Sequence, residues 1–600
     1  MTSPAFRSTC TSIGCAFTSG SRYSGEVLCL FARLTRLVAS NENLFRHCCL
    51  GYGQACPLKA RLILFCGLGW CFTSAFAKNL LVPGEFPKIQ LAINAAQKND
   101  VVLVAPGEYR ERIRLKADVI VMSVGNDEKG RLGLRRAEVT ILNHPKGEGP
   151  GVIMAEGSTF DGFTITGVGR YDEVLWKKHH ATQGNNQKHE HIGMAGTAGI
   201  EVGYTCIVAN NLVHHIGYTG IGITGAKGRI VSPRITGNIC YRNMGGGIGS
   251  MGGSKARIEK NVCFENFYAG IGHNNASPVV RNNVCYQNIR AGIGVSEGSS
   301  PSVIGNRCYK NRRAGIGIRT GKNTRPVVED NDCYENDMAG IGVEEEAMPL
   351  IRGNRCFKNR LAGIGCRHEA HPMIIKNICR ENSAAGIGVE DGAVAVVEDN
   401  LCQGNKTTGI GVRKNAEATI NNNRLLENKL VAVGVRNGSR VTLSDNELMR
   451  TEGMPPLVAV LEDSKLKMTG NTLRGGGVAG VLLQGKAEIF RNTFQGNGPR
   501  RGGPPNFALW VREGSEILFN DNIVKGWRHA MHASGAQAVS ANQNEVRHFL
   551  GNALVVQNTK TPATVTENIA HSSNPKAAVV AITGRAGEVS GNRLKLNQDK

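Results

Sequence analysis

Large aromatic side chains and long apolar runs are both scarce in this chain of 600 residues. Phe, Trp and Tyr together make up 6%, and the mean hydropathy of -0.20 fits a soluble chain. The apolar run Leu62–Trp70 is short for a membrane span of about 20 residues, so no transmembrane anchor is expected in the mature chain. Acidic residues are in deficit too: 49 Asp and Glu face 71 Lys and Arg, a net charge of +22. Such a surface favours acidic partners, namely anionic polysaccharide, nucleic acid or anionic lipid. A Lys/Arg-rich block interleaved with aromatics is also missing, which speaks against nucleic acid.

The first residues read as a processing signal. Lys59 and Arg61 precede the apolar run, and Ala75-Phe76-Ala77 offers a small-x-small cleavage site. The expectation is a presequence over residues 1–77, with a signal peptide at 58–77 behind a start site placed too early. The mature chain would then be secreted or periplasmic. A cytosolic leader with a buried apolar segment is the alternative.

What the chain has in abundance is glycine, 76 residues, and it is placed periodically. Gly-Ile-Gly recurs nine times between Gly220 and Gly411. Asn238, Asn261, Asn283, Asn306, Asn331, Asn354, Asn377, Asn400, Asn423 and Asn446 keep the same beat, mostly 23 residues apart. A period of this size marks a solenoid, in which each coil buries its apolar side only by stacking on the next. A second Asn series, Asn243 to Asn428, follows five residues behind the first. Cys240, Cys263, Cys285, Cys308, Cys333, Cys356, Cys379 and Cys402 follow two residues behind it. Within a repeat such as Asn354–Arg367 apolar residues alternate with period 2, as in strands, and a third short strand falls near Met373-Ile374-Ile375. Three short strands per coil describe an all-β parallel β-helix of about 23-residue coils. Asn592 and the other late asparagines carry the coils almost to the end. Parallel stacked cysteines converge poorly for disulfides, so the Cys series is expected as buried small hydrophobes. Ten thiols are awkward in an exported protein.

The start of the repeat region, Val82-Pro83-Gly84-Glu85-Phe86-Pro87-Lys88-Ile89-Gln90 with Asp100-Val101-Val102-Leu103-Val104-Ala105-Pro106-Gly107, resembles the entry of pectin-lyase-like right-handed parallel β-helix proteins. The resemblance covers residues 78–600 and implies a short N-terminal helix capping the first coil. Ile89, Ile93 and Ala96 would share the buried face of that helix. The superfamily spans lyases, hydrolases, esterases, epimerases and non-enzymatic proteins, so the resemblance does not fix a reaction. The calcium-binding Asp constellation of pectate lyases is not evident. Neither are the paired Asp of the related hydrolases or the Asp-Pro-His-Asp motif of alginate epimerases.

Two regions carry candidate chemistry. Outward positions after each Gly-Ile-Gly give Asn274, Ser296, Arg319, Glu344, Arg367, Glu390 and Arg413, largely alternating in sign beside a strip of outward glycines. This is either a register-fixing ion ladder or, with Asn274, Arg319, Glu344, Arg367, Glu390 and Arg413 as wall, a floor for an extended sugar chain. The rhythm is interrupted by an insertion loop at 168–198. Histidines crowd this region and the next coil, at His179, His180, His189, His191, His214 and His215, with Glu201 and Tyr204 between. His189, His191, Glu201, Tyr204, His214 and His215 would serve as acid and base in removing the proton beside a uronate carboxyl. An Arg or a divalent cation would hold that carboxylate, and no other cofactor is implied. Alternatively His179, His180, His189 and His191 bind a transition metal, or the insertion is a solvated polar loop.

The functional expectation is a secreted β-helix that binds an anionic polysaccharide, with lyase or epimerase chemistry if it is an enzyme. Two rivals remain: a non-catalytic scaffold or periplasmic metal-site accessory protein, and a protein-binding solenoid.

Overall fold

The computed structural model describes residues 77–596 apart from 129, 145–148, 185–186 and 188–197. The presequence and its signal peptide fall outside the described residues except for Ala77, as do His189 and His191.

Each coil makes three short strands. In one coil these are Leu350–Arg352, Arg355–Phe357 and Ile364–Cys366, after which Met373–Ile375 begins the next. Each strand pairs in parallel with its counterpart one coil away: Leu350 with Met373, Cys356 with Cys379 and Ile364 with Ile387. Three sheets, here A, B and C in that order along the coil, therefore run the length of the rod. Sheet A holds 21 strands among the described residues. Ile351, Cys356 and Ile364 point inward from A, B and C and are fully buried. Burying an isoleucine this way contributes about 1.5–3 kcal/mol, repeated coil after coil.

The asparagines sit at the corners. Asn354, at the A–B corner, donates its Nδ2 to the Val328 carbonyl and to Asn377 Oδ1 at 3.0 Å, and the same link recurs from Asn211 to Asn592. The second series occupies the B–C corner. Asn359 Nδ2 donates to the Cys333 carbonyl and to Asn382 Oδ1, both at 3.0 Å. That series ends at Asn428, whose carbonyl accepts from buried Arg450 Nη2 at 2.6 Å.

The eight stacked cysteines are buried and free. Burial raises the Cys263 and Cys333 thiols well above their usual range. The expected capping helix is present as α1, Ile89–Ala95, with Ile89, Ala92 and Ile93 buried. Pro87 lies just outside it. Glu111 accepts from the Ile89 and Gln90 amides and so satisfies the first donors of the helix. A second short helix, α2 (Arg135–Val139), packs Leu134 and Ala137 against Leu212 and Ile239 on the outer side of sheet B. The insertion, expected as a loop, contains a third helix, α3 (Glu173–Ala181), whose N-cap Asp172 accepts from the Leu175 amide. No helix among the described residues is long and apolar enough to cross a membrane.

Candidate functional site

The outer face of sheet C is a strip of glycine. A Cβ at Gly272 would meet nothing within 4 Å; at Gly294, Gly317 and Gly342 it would meet only an alanine Cβ at 3.7, 3.5 and 3.8 Å. Among the described residues no loop covers this floor at Gly272, Gly294, Gly317 and Gly342. The inner glycines of the same motif are of another kind. A Cβ at Gly315 would lie 2.7 Å from the Gly340 carbonyl oxygen and 2.9 Å from Asn336 Nδ2, so close packing at the B–C corner requires glycine there.

The row after each strand of sheet C is largely an ion ladder. Arg367 Nε reaches Glu344 at 2.8 Å, and Arg413 Nη2 reaches Glu390 at 2.7 Å. Asn274 and Arg319 are exposed at the same position in earlier coils. Among the described residues no carboxylate pairs with Arg319.

The opposite margin of the strip is built by the insertion. Its base passes Gly217, where a Cβ would lie 2.3 Å from the Arg170 amide nitrogen; only glycine allows that approach. Helix α3 then lies along the B–C corner of the following coils. Trp176 packs against Met244, Phe267 and Ile289 and donates its indole N–H to the Glu265 carbonyl at 2.8 Å. The chain beyond α3 is held by arginines. Arg290 Nε donates to Gln187 Oε1 at 2.5 Å, and Arg313 donates to the Gln183 and Gly184 carbonyls at 3.2 and 2.9 Å. All these acceptors are neutral. Burial, with Arg313 alongside, pulls Arg290 down to about 10; burial and then Arg319 lower Arg313. Arg290 and Arg313, on the turns that lead into the strands of Gly294 and Gly317, are thus bonded to neutral oxygens, and Arg319 stands near enough to lower both.

The histidines divide. His214 ends a strand of sheet B and His215 begins the corner, with Nδ1 to Nδ1 at 2.8 Å, so one ring donates to the other. Burial depresses His214 to about 4; burial and then Arg242 lower His215, so both are neutral at pH 7. Tyr171 of the insertion packs edge-on to His215 at 4.7 Å and donates its hydroxyl to Glu173 at 2.6 Å. Arg242 bonds Glu173 and Glu265 at 2.9 and 2.6 Å and lies 3.8 Å from the Trp176 ring centre. Glu201 lies elsewhere, in the outward slot of sheet C that Gly222 fills one coil on. Tyr204 is in the C–A turn under Arg229, 4.1 Å from its ring. No hydrogen bond or ring contact joins Glu201 or Tyr204 to the histidines among the described residues. His179 is edge-on to Phe267 at 5.2 Å and His180 stacks on Trp176 at 4.9 Å, so both rings pack the insertion down. No group of three or more potential metal ligands occurs among the described residues.

Sequence reasoning passed over Arg290, Arg313 and Arg242, whose roles depend on where the insertion lands. It also passed over a ring column on sheet B. Tyr241, Phe264, Tyr286, Tyr309, Tyr334 and Phe357 stack at 4.9–5.1 Å, with His214 at one end. Here a signal existed, since each ring directly follows a cysteine of the Cys series. Each stacked pair adds about 0.5–1.5 kcal/mol.

A family model described as "Right handed beta helix region" matches residues 151–325, 292–448, 362–524 and 433–599. Among solved structures, the mannuronan C-5 epimerase AlgE6 A-module of Azotobacter vinelandii is 15% identical, with 73% of this chain and 94% of that one covered and a TM-score of 0.30. The catalytic unit of a thermostable GH87 alpha-1,3-glucanase from Streptomyces thermodiastaticus is 13% identical, with 64% of each chain covered and a TM-score of 0.36. A periplasmic alginate epimerase, AlgG, is 12% identical over 66% of this chain and 76% of its own, with a TM-score of 0.29. No curated protein sequence matches significantly.

Proposed function

Because the chain belongs to the right-handed β-helix family, whose stacked coils present long flat faces, we propose that it binds an anionic polysaccharide lengthwise on the glycine strip of sheet C. The observation that carries this is the pairing of an open floor at Gly294 and Gly317 with Arg290, Arg313 and Arg319. Cations bonded to neutral oxygens keep their charge for a carboxylate or sulfate on the ligand. Asn274 adds an uncharged donor and acceptor on the far margin, while Glu344, Arg367, Glu390 and Arg413 fix the register beneath. Such a ligand puts the protein in the periplasm or outside the cell. The buried thiols suit either compartment, since an oxidant cannot reach them.

Calorimetric titration of polygalacturonate and of neutral dextran into the protein tests this reading. The polyuronate should bind, more weakly as salt rises, and dextran should not. Arg319→Ala, which breaks no hydrogen bond or ion pair among the described residues, should weaken binding roughly threefold to tenfold, about 1 kcal/mol. Gly317→Leu should fold and lose binding. Equal binding of dextran, or an unaffected Gly317→Leu, would overturn the proposal.

A second reading, proton abstraction beside a uronate carboxyl, is favoured by the neutral His215 next to Tyr171. Absorbance of unsaturated sugar ends decides it: a signal that His215→Ala removes would support it, and none across pectin, alginate and glycosaminoglycans would dismiss lyase chemistry.

A further inference from the structure

Charges on the outer faces of this rod mostly come in alternating pairs one coil apart. Glu329 faces Arg352, Asp332 faces Arg355, Glu344 faces Arg367, and Arg424 faces Glu447. Sheet A breaks the habit in its later coils. Arg440, Lys465 and Lys486 follow one another in register; Lys467, two residues along the strand from Lys465, faces Thr442 on one side and Glu488 on the other. The ends of the row are neutralised, Arg440 by Glu417 at 2.5 Å and Lys486 by Glu516 at 2.9 Å. Its middle is not: among the described residues no ion pair takes Lys465 or Lys467. Like charges directly opposite on neighbouring strands repel, so the arrangement weakens the fold locally where a glutamate at 465 would strengthen it. These side chains also line a shallow groove of about 690 Å³, which extends over the strands from Val394 to Ala538. Thr419 and Thr442, both exposed, lie in its wall.

We infer that this groove is a second binding surface for a linear anionic polysaccharide, on a different sheet from the glycine strip and independent of it. The groove crosses the strands and so follows the rod axis. Its cations recur once per coil, about 4.8 Å apart, which suits a chain carrying a carboxylate or sulfate on successive sugars. The hydroxyls of Thr419 and Thr442 can meet neutral sugar hydroxyls alongside. A departure from local consistency of this kind, stability given up for charge at one place, is what a binding site leaves in an otherwise regular sequence.

The test is Lys465→Glu, alone and with Lys467→Glu, against Lys525→Glu, which makes the same change in net charge on sheet B. Dextran sulfate and polygalacturonate serve as probes, with binding stoichiometry read by calorimetry and Tm by scanning calorimetry. Lys465→Glu should raise Tm, because the row then alternates, and should weaken polyanion binding in the groove at least tenfold. Lys525→Glu should leave that site intact. Gly317→Leu should remove a different class of sites, so either surface can fail without the other. Unchanged binding in Lys465→Glu/Lys467→Glu, or the same loss in Lys525→Glu, would overturn the inference. So would a DNA duplex bound as tightly as the glycans.

Discussion

Asn354→Ala would remove one rung from the middle of the corner ladder, and its cost follows from the bonds it breaks. The native side chain is fully buried. Its Nδ2 serves the Val328 and Arg352 carbonyls and Asn377 Oδ1 at 2.9, 3.1 and 3.0 Å. Its Oδ1 accepts from the backbone amide and the Nδ2 of Asn331, both at 2.9 Å. After truncation Asn377 Oδ1 still receives the Asn354 amide, and Asn331 Nδ2 still reaches the Val303 carbonyl. The buried Asn331 N–H loses its acceptor, while the Val328 carbonyl keeps its place in the strand ladder. The orphaned N–H costs about 1–3 kcal/mol and the lost buried hydrogen bonds about 1 kcal/mol more, so the expected loss is about 2–4 kcal/mol. In a stacked array that loss is felt first by adjacent coils. Hydrogen exchange should therefore quicken at the Asn331 amide and in the strands from Val327 to Arg380, with a lower urea midpoint. Asn323→Ala, at an exposed position, is the control. A loss below about 1 kcal/mol, or one equal to the control, would refute the ladder as a source of stability.

Glycines two positions apart should behave oppositely: Gly315→Ala, with a Cβ 2.7 Å from a carbonyl oxygen, should cost about 1–3 kcal/mol or more, and Gly317→Ala should leave the urea midpoint nearly unchanged. Acid should destabilise the rod through its buried imidazoles. Burial holds His273 down to about 3 and His214 to about 4, so below the unfolded value of about 6.5 the unfolded chain takes up protons first. Stability then falls by about 1.4 kcal/mol per pH unit per group, from about pH 6.5 to 4 for both and on to about 3 for His273. His273→Val should flatten that profile in urea titrations at stepped pH. The ten cysteines from Cys206 to Cys402 should resist a thiol-labelling reagent in the native protein and react in denaturant, as read by peptide mass mapping; native labelling of Cys308 or Cys333 would contradict their burial.

Much of this was written in one dimension. A strict period with asparagine at two corners, an inward cysteine and glycine on either side of isoleucine leaves few ways to wind the chain. Each position repeats its own environment one coil later, so backbone, core and corner ladders follow from spacing alone. The ion ladder at Glu344–Arg367 and Glu390–Arg413 was legible for the same reason. The margin of the strip was not. Arg290 and Arg313 look like ordinary corner residues until Gln183, Gly184 and Gln187 come to lie across them, more than a hundred positions away in sequence. Nor does spacing show that His215 meets Tyr171. An insertion has no period, and what it touches is settled by how Trp176 and His179 pack against the coils beneath. The sequence determined the rod; tertiary packing of the insertion decided which arginines along the rod it engages.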